Sequence, residues 1–306
     1  MRLYGATYPS FDLFIMNNIN SNPKIFIIIL NYNGIETLNN CLVSVFQSNY
    51  NNYEVVVVDN DSSDGSFEKA LSHFSRAHFI KNSANIGFSQ GNNIGIRFAL
   101  EKFADAIFIL NNDTIIEKDT IAKLASEAQR NSTAGIISPI IMNPDKSTWF
   151  AGGTIDWMKM RTNHLFQIIS NKPYASQYLS GCAMLIKKDV FKKIGLFDER
   201  YFLYYEDADF SFRTKAAGFE LIVEPSARIV HLEQSTSKNS SKTYWLVLSG
   251  LIFFFTHATP LQKLWLYPYV TARKMKNLYD VLFRRSTFSR DIRKAFGDYL
   301  LTKRVR

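Results

Sequence analysis

Three apolar runs in this 306-residue chain end abruptly on polar side chains. "KIFIIILNYNG" closes on Asn31, Tyr32 and Asn33, "YEVVVVDNDSSDGS" on Asp59, Asn60 and Asp61, and "AIFILNND" on Asn111, Asn112 and Asp113. A further short run, "ARIVHLE", carries His231 at its end. Asp59 can accept hydrogen bonds from an imide or a sugar hydroxyl; an Asx-turn is the alternative, and Asp64 beside it suits a helix cap. Asp113 offers a hard oxygen to a divalent cation, and Asp59 on another strand end favours that reading over a plain turn. His231 is either structural or a second metal ligand paired with Asp113.

Two other stretches carry chemistry. "YYEDADF" sets Glu206, Asp207 and Asp209 among aromatics. Asp209 and Arg213 stand four apart and read as a helix-surface ion pair. Asp207 points about 100° away from Glu206 on a 3.6-residue helix, beside Phe210 and Ser211. A carboxylate on an aromatic face is a candidate general base, because partial burial raises its proton affinity. "GFSQGNNIG" places Gly87, Gly91 and Gly95 four apart, which is not the spacing of a dinucleotide site. Close helix packing and a ligand role are about equally good accounts of these glycines. Asn85, Asn92 and Asn93 are poor interior helix residues and tip the balance towards a hydroxyl-rich ligand.

The elements that must position these groups alternate. Each of the first runs is apolar on both faces, as a central parallel strand requires, and helical patterns separate them. Such alternation predicts a doubly wound sheet, with the polar residues at the C-terminal strand ends where open α/β sheets bind ligands. From about residue 135 the rhythm changes. "GIISPIIM", "TWFAGGTID" and "YLSGCAMLIKKDVF" read as strands without regular helices between them. "YYEDADFSFRTKAAGFE" reads as a helix stopped by Gly218, and "FELIVEP" and "ARIVHLE" as two more short strands. Residues 233–242 are polar and read as a loop, and the remainder reads as helical.

Composition bounds the setting. Hydrophobic residues make up 46% of the chain, enough for a substantial core. Cys41 and Cys182 cannot form a disulfide framework and read as buried free thiols of a reducing cytoplasm. Residues 1–23 form an N-terminal extension without a signal-peptide core, and either Met1 or Met16 could be the start. No window reaches the roughly 18 apolar residues of a membrane span. The net charge of +9 is concentrated at one end: residues 271–306 hold eleven Lys/Arg against three Asp. That basic, aromatic-rich tail calls for an anionic partner, and Trp245, Trp265, Tyr267 and Tyr269 favour a membrane surface over nucleic acid, which is not expected.

"IIILNYNGIETLNNCLVSV", "VVVVDNDSSDGS", "NIGFSQGNNIGI", "ILNNDT", "FDERYFLYYEDADFSFRTKAAGF" and "IVHLE" occur in that order. Together they resemble family 2 glycosyltransferases, particularly the rhamnosyltransferase-like branch, over roughly residues 24–235. The resemblance implies a GT-A fold: a Rossmann-like, mainly parallel sheet flanked by helices, with a nucleotide-binding half over 24–115 and an acceptor half over 116–235. Residues 236–306 would be a helical appendage. It further implies that Asp59 binds the base of a dTDP- or UDP-sugar, helped by main chain near Asn31 and Tyr32. Asn85, Gly87, Asn92 and Asn112 would contact the donor. Asp113, with His231, would hold Mg2+ or Mn2+, and "NND" stands where many relatives have Asp-x-Asp. Asp207 would be the base of an inverting displacement, with Glu206 supporting it. The acceptor would be a saccharide or lipid-linked hydroxyl in bacterial surface polysaccharide synthesis, at the inner face of the cell membrane. A sugar-1-phosphate nucleotidyltransferase would want a Gly-rich, basic loop after the first strand, which "NYNGIETL" lacks; a sugar-nucleotide-binding protein without catalysis is the other alternative.

Overall fold

The computed structural model describes residues 22–232, 240–284 and 287–302. The expected N-terminal extension and most of the polar 233–242 loop lie outside the described residues. In chain order the elements are β1 (Ile25–Asn31), α1 (Leu38–Phe46), β2 (Tyr53–Asp59), α2 (Ser66–His73), β3 (His78–Lys81), α3 (Gly87–Glu101), β4 (Ala106–Asn111), β5 (Thr114–Ile116) and α4 (Thr120–Arg130). There follow β6 (Ala134–Met142), β7 (Thr148–Phe150), β8 (Gly153–Asp156), β9 (Arg161–His164), β10 (Tyr174–Ala175), β11 (Ala183–Lys187), α5 (Lys188–Ile194), α6 (Glu206–Ala216) and β12 (Glu220–His231). The C-terminal part is α7 (Ser240–His257), α8 (Pro260–Tyr279), a π-helical turn (Asp280–Arg284) and α9 (Thr287–Thr302).

The main sheet runs β10-β12-β6-β11-β4-β1-β2-β3. β1, β2, β3 and β4 are mutually parallel, and β1, β2 and β4 are buried on both faces along most of their length. Asn31 pairs with Asp59 in register and Leu30 with Asn111, so three strands release their polar residues at one edge. β11 runs antiparallel between β4 and β6. A strand buried on both faces reads alike in either direction, so the sequence did not reveal this reversal. Helices over 120–130 and 188–194 also escaped the sequence reading. The two short strands expected around 219–232 are one strand, β12, with a break in register between Glu224 and Arg228.

The glycines of α3 resolve in favour of packing. A Cβ at Gly91 would press on Leu30, and one at Gly95 on Ile28 and Val58. Only a helix stripped of side chains on this face lies so close to β1 and β2, which outweighs the poor helix propensity of Gly and Asn. Gly87 differs: its φ of +85° belongs to the turn that opens the helix.

Helix α7 is part of the body rather than a detached tail. Trp245 stacks on Phe202 at 4.3 Å, and Phe253 and Phe254 contact Trp157 and Tyr205. His257 Nε2 meets Asp209 Oδ1 at 2.7 Å, while Arg213 Nε donates to Asp209 Oδ2 at 2.7 Å. The Asp209–Arg213 pair is therefore a buried junction between α6 and α7, not a surface pair. Removing the carboxylate with Asp209→Ala leaves Arg213 and His257 without their anion and is expected to cost about 3 kcal/mol. A denaturant midpoint equal to that of the wild type would contradict this account.

Candidate active site

The polar strand ends interlock. The buried Asn31 amide donates to Asp59 Oδ1 at 2.8 Å and to Ser66 Oγ at 2.9 Å, and its Oδ1 accepts from Asn112 Nδ2 at 2.8 Å. Gly34 makes this possible, because a Cβ there would collide with both Asn31 and Asn112. Asp59 is wholly buried and also accepts from Ser62 N and Ser62 Oγ at 2.8 and 2.6 Å. The Asx-type turn is thus formed, and about one of the carboxylate's four acceptor positions stays open. Asp64 caps the start of α2 through Ser66 and also ties down Ile35 N. Tyr32 stands exposed just beyond β1.

Asp113 and His231 come together where β5 pairs with the end of β12. Asp113 Oδ2 lies 3.2 Å from His231 Nε2, with the His231 side chain 7% exposed. Asp113 Oδ1 and both ring nitrogens of His231 are buried without a hydrogen-bond partner. Buried polar atoms seldom stay unpaired, and an oxygen–nitrogen donor pair of this kind fits a divalent cation. Among the described residues no cluster of three or more His, Cys, Asp or Glu is poised for a metal, so further ligands would have to come from elsewhere. Trp149 packs against the His231 ring at 4.7 Å and against His164 at 4.6 Å, fixing its plane. Nothing in the sequence marked Trp149 for this role.

Glu206 and Asp207 open α6, and their environments differ. Asp207 Oδ2 accepts from Gly181 N at 3.0 Å, and Oδ1 accepts from Ala208 N at 2.7 Å. Burial raises its proton affinity, while those amides favour the charged form. Glu206 is more fully buried, and its Oε2 has no partner. Desolvation first, and then the neighbouring Asp207 charge, push its carboxyl well above the usual carboxylate range. Both carboxyls are thus pushed up, Glu206 the further, while the Gly181 and Ala208 amides oppose the rise at Asp207 alone of the two. Both lie next to strained backbone, since Tyr204 and Tyr205 have φ of 68° and 65°.

Short links join these clusters into one site. Asn111 N donates to Cys182 O at 2.9 Å, one residue after the Gly181 amide that holds Asp207. A Cβ at Gly181 would lie 3.4 Å from Asp207 Cβ and 3.3 Å from Phe88, which follows Gly87. Gly87 N donates to Asn85 Oδ1 at 3.0 Å, and Asn60 Nδ2 donates to Gly87 O at 3.0 Å. Asn92 is buried, donates to Phe88 O and leaves its Oδ1 unpaired. Asn93 is a structural clamp instead: its amide binds both the N–H and the C=O of Phe197. Cys41 and Cys182 are buried free thiols, and burial pushes Cys41 up to about 12.

The sequence model of glycosyl transferase family 2 matches residues 26–195, more than half of the chain. The chain belongs to glycosyl transferase family 2. It is 28% identical over 211 residues to a dTDP-rhamnosyl transferase of Shigella flexneri, covering 69% of each chain. It is 32% identical to a low-salt glycan biosynthesis hexosyltransferase of Haloferax volcanii, covering 62% of this chain and 61% of that one. An N-acetylglucosaminyl-diphospho-decaprenol L-rhamnosyltransferase of Mycobacterium tuberculosis is 27% identical, covering 58% of this chain and 66% of the relative. The chain thus spans roughly two thirds of these relatives. A mannosyltransferase of Pyrobaculum calidifontis, solved with GDP-Man and Mn2+, superposes with a TM-score of 0.59 at 15% identity, over 93% of this chain and 89% of that one. GalNAc-T7, solved with UDP, GalNAc and Mn2+, gives 0.63 at 18% identity over 76% of this chain and 47% of that one. The family 2 chain has a GT-A fold and is a glycosyltransferase.

The protonated state of Glu206 has a thermodynamic consequence. Below the unfolded carboxyl pKa both states are protonated, and nothing is lost. As pH rises, the unfolded chain ionises while folded Glu206 keeps its proton, so stability falls until the raised folded pKa is passed. Glu206→Gln removes this loss. Its melting temperature is expected to exceed the wild type's at pH 8, by roughly 2–4 °C per kcal/mol recovered, and the gain should shrink towards pH 5. A gain of equal size at both pH values would contradict the assignment.

Proposed function

We propose that the protein is an inverting glycosyltransferase that moves a sugar from a dTDP- or UDP-sugar to a hydroxyl of a saccharide or lipid-linked acceptor. The setting is bacterial surface polysaccharide synthesis. The observation that carries this reading is the meeting of the Asn31–Asp59 network, the unpartnered Asp113–His231 pair and the Glu206–Asp207 pair along one sheet edge. In this reading the base end of the donor lies at Asn31, Tyr32 and Asp59. Asp59 becomes available when the turn at Asp61, held at a left-handed φ of 62°, yields. Asn85, Gly87, Asn92 and Asn112 flank the donor's sugar and phosphates.

Asp113 and His231 would hold Mg2+ or Mn2+, whose contribution when bound is to stabilise negative charge on the departing diphosphate. Asp207 takes the proton from the acceptor hydroxyl as that oxygen attacks the anomeric carbon from the face opposite the leaving group. Gly181 N and Ala208 N keep Asp207 charged and aimed. Glu206, neutral, supports it or hydrogen-bonds the acceptor. The dTDP-rhamnosyl and diphospho-decaprenol relatives support the donor and acceptor classes. Asp207→Asn is expected to lower turnover by about 10²–10⁴-fold while nucleotide-sugar binding persists. Thermal-shift measurements with UDP-, dTDP- and GDP-sugars, with and without Mn2+, should identify the donor. Asp113→Ala should erase the Mn2+-dependent part of the shift. Persistent turnover in Asp207→Asn would overturn the base assignment.

We infer further that the protein works as a peripheral protein on the inner face of the cell membrane. Among the described residues no helix is long and apolar enough to cross a membrane. Leu261, Leu264, Met275, Leu278 and Leu282 are exposed and recur at helical spacing along α8 and the π-helical turn. Lys274, Lys276 and Arg284 are interspersed with them, the pattern of an interfacial helix. Deleting residues 240–306 would strip α7 from the core, so point changes are the better probe. Leu264→Glu with Leu282→Glu is expected to weaken binding to phosphatidylglycerol vesicles by about tenfold or more. Unchanged partitioning would remove α8 from the membrane contact.

A further inference from the structure

Beside Tyr205 lies a hollow of about 490 Å³ between the β8–β9 hairpin and helices α7, α8 and α9. Its volume falls within the roughly 300–1,000 Å³ of small-molecule sites. Its floor is apolar: Leu246, Val247, Leu251 and Phe296 line it, and Gly250 lets the Tyr205 ring lie against α7. Its rim is cationic, with Lys159 and Arg161 from the hairpin and Arg273 and Lys276 from α8. Among the described residues no acidic one lines it. Arg161 has Asp156 at 3.8 Å, while Lys159, Arg273 and Lys276 have no ion pair among the described residues.

Cations gathered without counter-ions over an apolar floor suit an anion attached to a hydrocarbon. The rim also has built-in geometry. Trp265 Nε1 donates to Met158 O at 3.0 Å and Tyr269 OH to Lys159 O at 3.2 Å, so α8 holds the hairpin cations opposite its own. On a 3.6-residue helix, Lys276 lies about 60° from Leu261, while Arg273 faces the side of α8 opposite Leu264, Met275 and Leu278. On the hollow's inner side Tyr205 directly precedes Glu206, so one of its walls is continuous with the catalytic pair.

We propose that this hollow binds the diphosphate of a lipid-linked acceptor, with the first part of the lipid chain on the apolar floor and the acceptor sugar directed past Tyr205 towards Asp207. This rests on the transferase reading above and names where its acceptor is held. No bond is made or broken in the hollow; Arg273, Lys276, Lys159 and Arg161 bind, and the reaction stays at Asp207.

The test is calorimetric titration of the full chain with farnesyl diphosphate, inorganic diphosphate and farnesol. Farnesyl diphosphate is expected to bind at least about tenfold more tightly than either fragment, since it engages both rim and floor. Arg273→Ala with Lys276→Ala should weaken it by about 10–100-fold, with nucleotide-sugar affinity and melting temperature unchanged. Lys159→Ser, on the opposite wall, provides a second variant should the double one not fold. Equal binding of inorganic diphosphate would mean a plain anion site and overturn the proposal. So would competition by the nucleotide-sugar, which would assign the hollow to the donor, or displacement by phosphatidylglycerol, which would make it a general phospholipid site. If no nucleotide-sugar binds but farnesyl diphosphate still requires Arg273 and Lys276, the transferase reading fails and the lipid diphosphate site stands.

Discussion

The side-chain amide of Asn31 is the constraint on which the polar edge of β1, β2 and β4 depends. Buried at the end of a central strand, it donates to Asp59 and Ser66 and accepts from Asn112. These partners belong to the end of β2, the start of α2 and the turn that follows β4. One amide thus ties the end of β1 to all three and spaces the loops between which a ligand would lie. A buried amide left unpaired would cost the full desolvation of its polar atoms, so the network closes as a unit or not at all. Gly34 belongs to it by having no side chain.

The start of α6 is organised by a different device. The loop from Phe197 to Tyr205 is gripped by Asn93 from α3, by the Asp209 junction and by α7, where Ser249 Oγ donates to Leu203 O at 2.8 Å. This gripping sustains two consecutive left-handed tyrosines, a conformation that costs free energy at each non-glycine residue. Glu206 and Asp207 emerge from it in different surroundings. Adjacent carboxyl groups in one medium would compete for a single proton; here the Gly181 and Ala208 amides bias the charge towards Asp207. The C-terminal helices are therefore a structural condition of the Glu206–Asp207 pair as well as the bearers of the cationic hollow.

Much of the nucleotide half was legible in the sequence. Strands apolar on both faces, closed by Asn and Asp, have few other places in a soluble fold, and β1, β2 and β4 end as those runs implied. Other features were invisible for physical reasons. The direction of β11 leaves no trace in a strand buried on both faces. Asn93 and Asn92 are the same residue type one position apart, yet one clamps Phe197 and the other keeps an unpaired oxygen. The tail's aromatics divided between packing and exposure: Trp245 stacks on Phe202, while Trp265 and Tyr267 remain exposed.

By itself the sequence determined the order of motifs, the sheet edge on which the polar groups collect, and the family those motifs resemble, because local hydrophobic period and turn chemistry are properties of neighbouring residues. Only the tertiary structure decided that Asp209 is a buried junction, that Glu206 is desolvated without a partner while backbone amides hold Asp207, and that cations 112 or more residues apart, Lys159 and Arg161 with Arg273 and Lys276, line one hollow. Burial, desolvation and long-range juxtaposition depend on which distant elements exclude water from a group, and no local window of sequence records that.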